Sequence, residues 1–188
     1  MLRHFNWIVP LFLAGILLSP PVAAQDADDT FDQDTIFNEA DEFFGGASEG
    51  LAKVVEKVFS EQGRPNAYIT GQVIGGALIV GVRYGDGRLT HKIFGEQRVY
   101  WRGPSIGVDA GAEGSKVFML VYHLPDIEQI FQTFAALEGS AYFIGGIGVN
   151  YQQRDDIILA PIRTGVGLRF GANLGYVKFT RKRSYLPF

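Results

Sequence analysis

The sequence contains no cysteine, which excludes disulfide bonds, thiol catalysis and thiolate metal sites. Without disulfides, the folded chain must be stabilised by its apolar core alone. Histidine is scarce as well. His4, His91 and His123 stand apart from one another and lack acidic neighbours at ligand spacing, so we expect no metal site. Motifs for a cofactor are lacking too, and we predict a protein with neither cofactor nor catalytic residues.

The sequence also lacks an apolar run long enough to cross a bilayer, for which about 20 residues are needed. The apolar stretch from Trp7 to Leu18 has 12 residues and is interrupted by Pro10. It follows a short segment containing Arg3 and precedes the small residues Val22-Ala23-Ala24, a pattern typical of a secretory signal peptide. We predict a signal peptide over residues 1–24, cleaved near Ala24/Gln25, and a periplasmic mature protein.

Basic residues are missing from residues 26–49, which hold nine acidic residues. Residues 50–188 hold 11 acidic and 16 basic residues, a net charge of +5. This segregation predicts an acidic leader over residues 25–47, partly helical, followed by one folded domain over residues 48–188. A net charge of +5 is too small to indicate nucleic-acid binding, but it suits anionic surfaces such as lipid headgroups or phosphorylated glycans.

Helical spacing of apolar residues appears in three places. The first predicted helix runs from a cap at Asp34 or Thr35 to Phe44, where glycines end it. The second begins at Ser48, and its apolar stripe is expected to cover the core. The third opens at Pro125 and extends through Phe134. The stripe of the second helix consists of Leu51, Val54, Val55, Val58 and Phe59.

From Asn66 onward the apolar pattern alternates with period two, which predicts strands. Gly85-Asp86-Gly87 is expected to form a hairpin turn, and Glu113-Gly114 is expected to join residues 105–112 to residues 115–122. The nearly continuous apolar run from Lys116 to Tyr122 predicts a central strand buried on both faces. Residues 140–152 are expected to form one long strand.

Glycines within these predicted strands indicate sharp bending of a small sheet that closes on itself. They are Gly145, Gly146, Gly148, Gly165, Gly167 and Gly175. Closure also removes exposed sheet edges. The predicted fold class is mainly β: a small closed antiparallel β-barrel of about 8–10 strands, with two or three short capping helices.

Two clusters are candidates for ligand binding. The first contains Arg98, Tyr100, Trp101 and Arg102. Its aromatic rings can stack on a ligand, and its guanidinium groups can bind phosphate. Arg181, Lys182 and Arg183 form a second basic group near the C-terminus. The alternatives are a bent strand whose Trp belongs to the core and a solvated basic tail.

The mature chain resembles the EipA family of periplasmic envelope proteins over most of residues 31–188. The segments that carry the resemblance are Tyr100-Trp101-Arg102-Gly103-Pro104-Ser105-Ile106-Gly107, Val117 to Tyr122, Gly165-Val166-Gly167 and Leu174-Gly175-Tyr176. The resemblance implies a small soluble β-barrel with a role in cell-envelope integrity. A weaker similarity to SYLF-type lipid-binding domains implies a lipid ligand.

These observations together predict a non-enzymatic soluble periplasmic protein that supports the envelope by binding a lipid, a glycan or an envelope protein. Two alternatives stay open. Phe188 is terminal, as in many outer-membrane β-barrels, although the alternation of apolar residues behind it fails after one step. An envelope hydrolase would need a pair of carboxyl groups in a cleft, which spacing along the chain does not reveal.

Overall fold

The structure is a computed structural model that describes residues 29–46, 49–76, 80–106, 115–164 and 175–184. The predicted signal peptide, Ser48, the Glu113-Gly114 turn and Gly165-Val166-Gly167 lie outside the described residues.

In the described part of the chain, two α-helices precede the strands: α1 is Gln33–Phe44 and α2 is Glu49–Gln62. Helix α1 begins earlier than predicted because Asp32 is its N-cap, accepting a hydrogen bond of 2.8 Å from the backbone N–H of Thr35. It ends at Gly45, whose φ of +88° is left-handed. Although this stretch is acidic, Ile36 and Ala40 of α1 are fully buried. Residues 29–46, which fall within the stretch predicted to be a leader, therefore contribute to the core.

Within the described residues, ten strands make one antiparallel sheet. They are β1 Ala67–Gly76, β2 Val80–His91, β3 Gly95–Ile106, β4 Ser115–Tyr122, β5 Thr133–Ala136, β6 Tyr142–Ile144, β7 Ile147–Val149, β8 Gln152–Arg154, β9 Ile157–Thr164 and β10 Tyr176–Thr180. Eight strands close in the order β4-β1-β2-β3-β10-β5-β8-β9, since β9 also pairs with β4. The β6–β7 hairpin continues beside β9. The predicted antiparallel barrel is confirmed.

Several local predictions were wrong. Gly85-Asp86-Gly87 lies inside the continuous strand β2, and the turn to β3 comes at residues 92–94. Strand β4 pairs with β1 and β9 on its two sides, which leaves no edge for the predicted pairing with residues 105–112. A 3₁₀ turn, Ile127–Ile130, replaces the third helix, and Phe134 belongs to β5.

The predicted long strand over residues 140–152 is instead divided into three short ones. Gly145 and Gly146 have φ values of +56° and +86° and form the turn between β6 and β7. These two glycines are therefore turn residues, where a positive φ is required, and not sites where a strand bends.

Two apolar layers share the barrel wall. One fills the barrel interior and includes Ile69, Leu89, Met119, Leu159 and Phe179. The other lies outside the wall and joins α1 and α2 to outward-facing residues of the strands. Strand β4 contributes to both, because Val117, Met119 and Val121 face inward while Phe118, Leu120 and Tyr122 face the helices. The prediction of a central strand buried on both faces is confirmed.

The indole of Trp101 explains the glycines inside β2. Trp101 lies opposite Gly85 in the β2–β3 register, and its ring is in the interior layer. A Cβ added at Gly85 would lie 2.1 Å from indole Cε2, and one at Gly71 would lie 2.6 Å from indole Cη2. The ring therefore occupies space that any side chain at these two positions would need, which is why Gly stands in the middle of the strands.

We expect Gly85→Ala to lower the free energy of unfolding by about 1–3 kcal/mol, because the methyl group would overpack the core against a rigid ring. Urea unfolding followed by circular dichroism measures the change, because Trp101→Leu removes the only tryptophan of residues 25–188. Trp101→Leu removes the clash, so the double variant should lose less than the sum of the two single losses. If the losses of the two single variants added up in full in the double variant, the Trp101 ring would not be the source of the clash.

Candidate functional site

The outer wall formed by β2, β3 and β10 gathers most of the predicted binding residues. Side chains alternate along a strand between the two faces of the sheet. Because Trp101 faces inward, its neighbours Tyr100 and Arg102 face the outer surface. The two helices pack on the opposite side of the barrel, against outward-facing residues of β1, β4 and β9. Arg98, Tyr100 and Arg102 of β3, which were predicted to bind a ligand, thus lie on a part of the wall away from the helices.

Asp86 of β2 is at the centre of the arrangement. Its Oδ2 lies 2.8 Å from Nη2 of Arg98, and its Oδ1 lies 3.6 Å from Nη2 of Arg183. The same two guanidinium groups approach the ring of Tyr100, at 5.6 Å and 5.8 Å from its centroid. One carboxylate and one aromatic ring therefore hold together two arginines that are 85 positions apart in the chain.

Arg102 forms the buried part of the site. Its residue is only 8% exposed, and its Nη1 donates a hydrogen bond of 2.8 Å to Oγ of Ser184. Lys178 of β10 lies opposite Arg102 in register and is exposed. The chain after β10 thus lies beside β3, with Arg183 and Ser184 each contacting a residue of the site.

These side chains surround a shallow depression of about 240 Å³. Its lining residues are Ile74, Tyr84, Gly85, Asp86, Tyr100, Trp101, Arg102, Thr180, Arg183 and Ser184. We call this feature the Tyr100 depression. Its wall combines the rings of two tyrosines and an exposed isoleucine with two guanidinium groups and one carboxylate, so it can contact both an apolar face and an anion.

The structure brings together four of the seven predicted residues: Arg98, Tyr100, Arg102 and Arg183. The ring of Trp101 belongs mainly to the interior, at 5% exposure and 5.7 Å from the ring of Phe179, as the alternative of a core Trp expected.

The two other basic residues near the C-terminus lie apart from this group. Arg181 pairs with Glu128 and lies over Phe131, 4.6 Å from its centroid. Lys182 is exposed, and its backbone carbonyl accepts a hydrogen bond from Thr180.

Sequence analysis missed Asp86, Tyr84, Ile74 and Ser184. Asp86 was assigned to a turn because Asp-Gly is a strong local turn signal. Only the pairing of β2 with β3 shows that Asp86 lies opposite Tyr100. The contact between Ser184 and Arg102 joins residues 82 positions apart, which no local pattern reports.

The histidines of the folded part have structural partners. His91 is buried, and its Nε2 lies 3.0 Å from the carbonyl oxygen of Leu124. Its Nδ1 accepts hydrogen bonds from the backbone N–H groups of Ile93 and Phe94, so Nε2 carries the proton and donates to Leu124. Among the described residues, no group of three or more His, Asp or Glu side chains could hold a metal ion.

Among the carboxyl groups of the described residues, the two with shifted pKa values favour the charged form. Hydrogen bonds from Lys57 and Tyr151 lower the pKa of Glu61, and the backbone N–H of Thr35 lowers the pKa of Asp32. A general acid of a glycosidase requires the opposite shift. These two groups therefore do not support the hydrolase alternative.

One motif resembles a hydrolase signature. Gly46-Ala47-Ser48-Glu49-Gly50 matches the G-x-S-x-G pattern of the nucleophile elbow, which joins a strand to a helix. In this chain the motif connects α1 to α2. The required strand before the serine is replaced by a helix, so the match does not indicate an elbow.

Buried and half-buried tyrosines stabilise the contact between the helices and the barrel. Tyr151 donates a hydrogen bond of 2.6 Å to Oε2 of Glu61, and the hydroxyl of Tyr142 lies 3.4 Å from that of Tyr151. Tyr68 of β1 donates to Glu39 of α1 at 3.0 Å. Burial raises the pKa of Tyr68 and of Tyr142 to about 12.

The fold and the site together define a class: a small, closed, eight-stranded antiparallel barrel with two helices on one side and a basic, aromatic depression on another part of its wall. Residues 29–188 match the family described as envelope integrity protein A. The chain therefore belongs to the envelope integrity protein A family. It is confirmed as a member of the family that its sequence resembles.

Comparison with solved structures agrees with the barrel fold and with the family. A β-barrel-like, uncharacterised protein from Brucella abortus is similar with a TM-score of 0.79 and 44% identity, over 85% of this chain and 99% of that one. None of the curated proteins matches the chain. In the described part of the chain, no helix is long and apolar enough to cross a membrane.

The raised tyrosine pKa values predict instability in alkali. An unfolded tyrosine ionises near pH 10, whereas Tyr68 and Tyr142 stay neutral in the fold until about pH 12. Their contribution is fully present below pH 10 and is lost as the pH rises toward 12. Between pH 10 and 11 we expect Tyr68 alone to cost about 1 kcal/mol of unfolding free energy.

Urea unfolding at pH 9, 10 and 11 measures this loss. Tyr68→Phe should reduce the decrease between pH 10 and 11 by about 1 kcal/mol. Tyr176→Phe, at an exposed position on β10, is the control and should keep the full decrease. An equal decrease in Tyr68→Phe and in the control would refute the explanation.

Proposed function

We propose that this protein is a non-enzymatic, soluble protein of the periplasm that supports cell-envelope integrity by binding an envelope component on the outer wall of its barrel. The family supports the role in the envelope. The signal-peptide pattern of residues 1–24 supports export. The binding partner would be an envelope lipid, glycan or protein that carries an anionic group.

The observation that carries this proposal is the contrast between the two faces of the wall. Inward-facing side chains of the described strands pack against one another in one continuous core. The outer wall, by contrast, presents the Tyr100 depression, where arginines and aromatic rings converge. Binding on the surface needs no rearrangement of that core, whereas a ligand inside the barrel would have to displace packed side chains.

The charges on the outer wall support a soluble protein over an outer-membrane barrel. Asp86 and Arg88 of β2 and Glu96, Arg98 and Arg102 of β3 project outward from neighbouring strands. In a membrane barrel this surface would face lipid, where charged side chains are costly. Helices α1 and α2 cover another part of the outer surface with an apolar layer of their own.

Native mass spectrometry of the mature chain, residues 25–188, purified from the periplasm without detergent, tests for a bound envelope component. We expect a co-purified anionic ligand in the wild-type protein and its loss from an Arg98→Ala/Arg183→Ala variant. Arg88→Ala is the matched control, since Arg88 lies opposite Arg98 on the same hairpin and also pairs with an acidic residue.

The role in the envelope is tested in cells that lack the gene. We expect these cells to become sensitive to detergent and to recover with the wild-type gene or the Arg88→Ala variant. The Arg98→Ala/Arg183→Ala variant should fail to restore resistance while accumulating to the same level. Full resistance of the deletion strain, or full rescue by the double variant, would refute the proposal.

A further inference from the structure

We propose that the Tyr100 depression is a phosphate-binding site that takes one phosphorylated sugar unit. This inference rests on the proposed function, because it names the ligand class of the same surface. Four features of the depression carry it: its charge, the burial of Arg102, the chemistry of its apolar wall and its size.

The charge of the depression favours an anion. Arg102, Arg183 and Asp86 line it, and Arg98 forms an ion pair with Asp86. These three guanidinium groups and one carboxylate have a net formal charge of +2. Arginine is the side chain best suited to phosphate, because its planar fork offers parallel N–H donors. Lys178, opposite Arg102 on β10, adds a further exposed cation on the same wall.

Burial strengthens part of this attraction. Arg102 is 8% exposed, and its guanidinium is held by Ser184 at one side of the depression. A guanidinium that is fixed in place loses little conformational entropy when a ligand binds, and its charge is less screened than that of an exposed lysine. The more exposed partners are Arg98 and Arg183, whose side chains are 64% and 52% exposed.

The apolar part of the wall fits the face of a sugar ring. Tyr84 and Tyr100 bring aromatic rings to the depression, and Ile74 is 56% exposed beside them. Aromatic rings bind one face of a ligand while polar groups orient it. The volume of about 240 Å³ lies below the range of roughly 300–1,000 Å³ typical of pockets for drug-sized ligands. One ring with its phosphate suits this size better than an acyl chain.

Asp86 gives the site a built-in competitor. Its carboxylate lies between Arg98 and Arg183, at the place where a phosphate would meet the same two guanidinium groups. A ligand must therefore exchange with this carboxylate, which limits affinity for simple anions. A phosphate attached to a ring gains additional contacts with the tyrosines, so a sugar phosphate should bind better than inorganic phosphate.

Isothermal titration calorimetry of the mature protein with glucose 1-phosphate, glucose and inorganic phosphate tests the proposal. We expect glucose 1-phosphate to bind most tightly and glucose not to bind. Arg98→Ala and Arg183→Ala should each weaken binding about ten-fold, the loss of roughly one charge-assisted hydrogen bond. Asp86→Asn, which removes the competing carboxylate, should tighten binding.

Arg88→Ala is the control, since the side chain of Arg88 is 66% exposed and pairs with Glu96 much as Arg98 pairs with Asp86. It should bind as the wild type does. Equal losses in Arg88→Ala and Arg98→Ala, or weaker binding in Asp86→Asn, would overturn the site. Thermal unfolding of each variant confirms that the protein is folded.

A second arm separates a sugar phosphate from a lipid headgroup. Vesicles of phosphatidylglycerol, with phosphatidylcholine vesicles as the neutral comparison, should fail to compete with glucose 1-phosphate. Competition by the anionic vesicles alone would show that the phosphate belongs to a lipid and would overturn the sugar assignment. If no phosphate probe binds but native mass spectrometry still finds a ligand that depends on Arg98 and Arg183, this inference fails while the proposed function stands.

Discussion

The packing of the Trp101 indole in the barrel interior is the constraint on which the surface site depends. The ring occupies space over Gly71 and Gly85, and no other residue type would leave room for it at those two positions. Because side chains alternate with period two, one inward anchor sets the direction of its neighbours on β3. Tyr100 and Arg102 face outward for this reason, and a shift of register by one residue would reverse them.

The second requirement is that the helices lie elsewhere on the barrel. Helices α1 and α2 bury the outward-facing residues Tyr68, Phe118, Leu120 and Tyr122 of β1 and β4, which would otherwise expose a large apolar surface. Polar contacts attach the acidic α1 to the barrel: Tyr68 donates to Glu39, and Lys116 donates to the carbonyl oxygen of Phe43. The barrel thus has one side stabilised by helices and another where charged side chains stay accessible.

Features with a strong local or periodic signal were predictable. The run from Lys116 to Tyr122 is apolar at nearly every position, and only a strand buried on both faces satisfies such a run. The stripe of α2 covers the core as its spacing indicates, with Leu51, Val54, Val55 and Val58 all buried. In each case the residues that determine the structure are neighbours in the chain.

Predictions failed where a local preference competed with a distant contact. Asp86-Gly87 has the composition of a turn, but the strand continues through it. Gly85 leaves room for the Trp101 ring, and Gly87 leaves room for the close backbone of β1. The prediction of the site residues was incomplete for the same reason. Arg183 and Ser184 reach β2 and β3 only because β10 pairs with β3 and the chain then continues beside it.

By itself, the sequence predicted an export-type N-terminus, and it determined an alternating β pattern, a central buried strand and a high content of arginine and aromatic residues, since composition and short-range periodicity suffice for each. The tertiary structure alone decided which of these side chains meet. Closure of the barrel selects one register for each strand pair, and that register puts Trp101 inside and places Arg98, Arg102 and Arg183 around Asp86 and Tyr100. Contacts between residues 82 to 97 positions apart depend on that closure, and local sequence carries no signal of it.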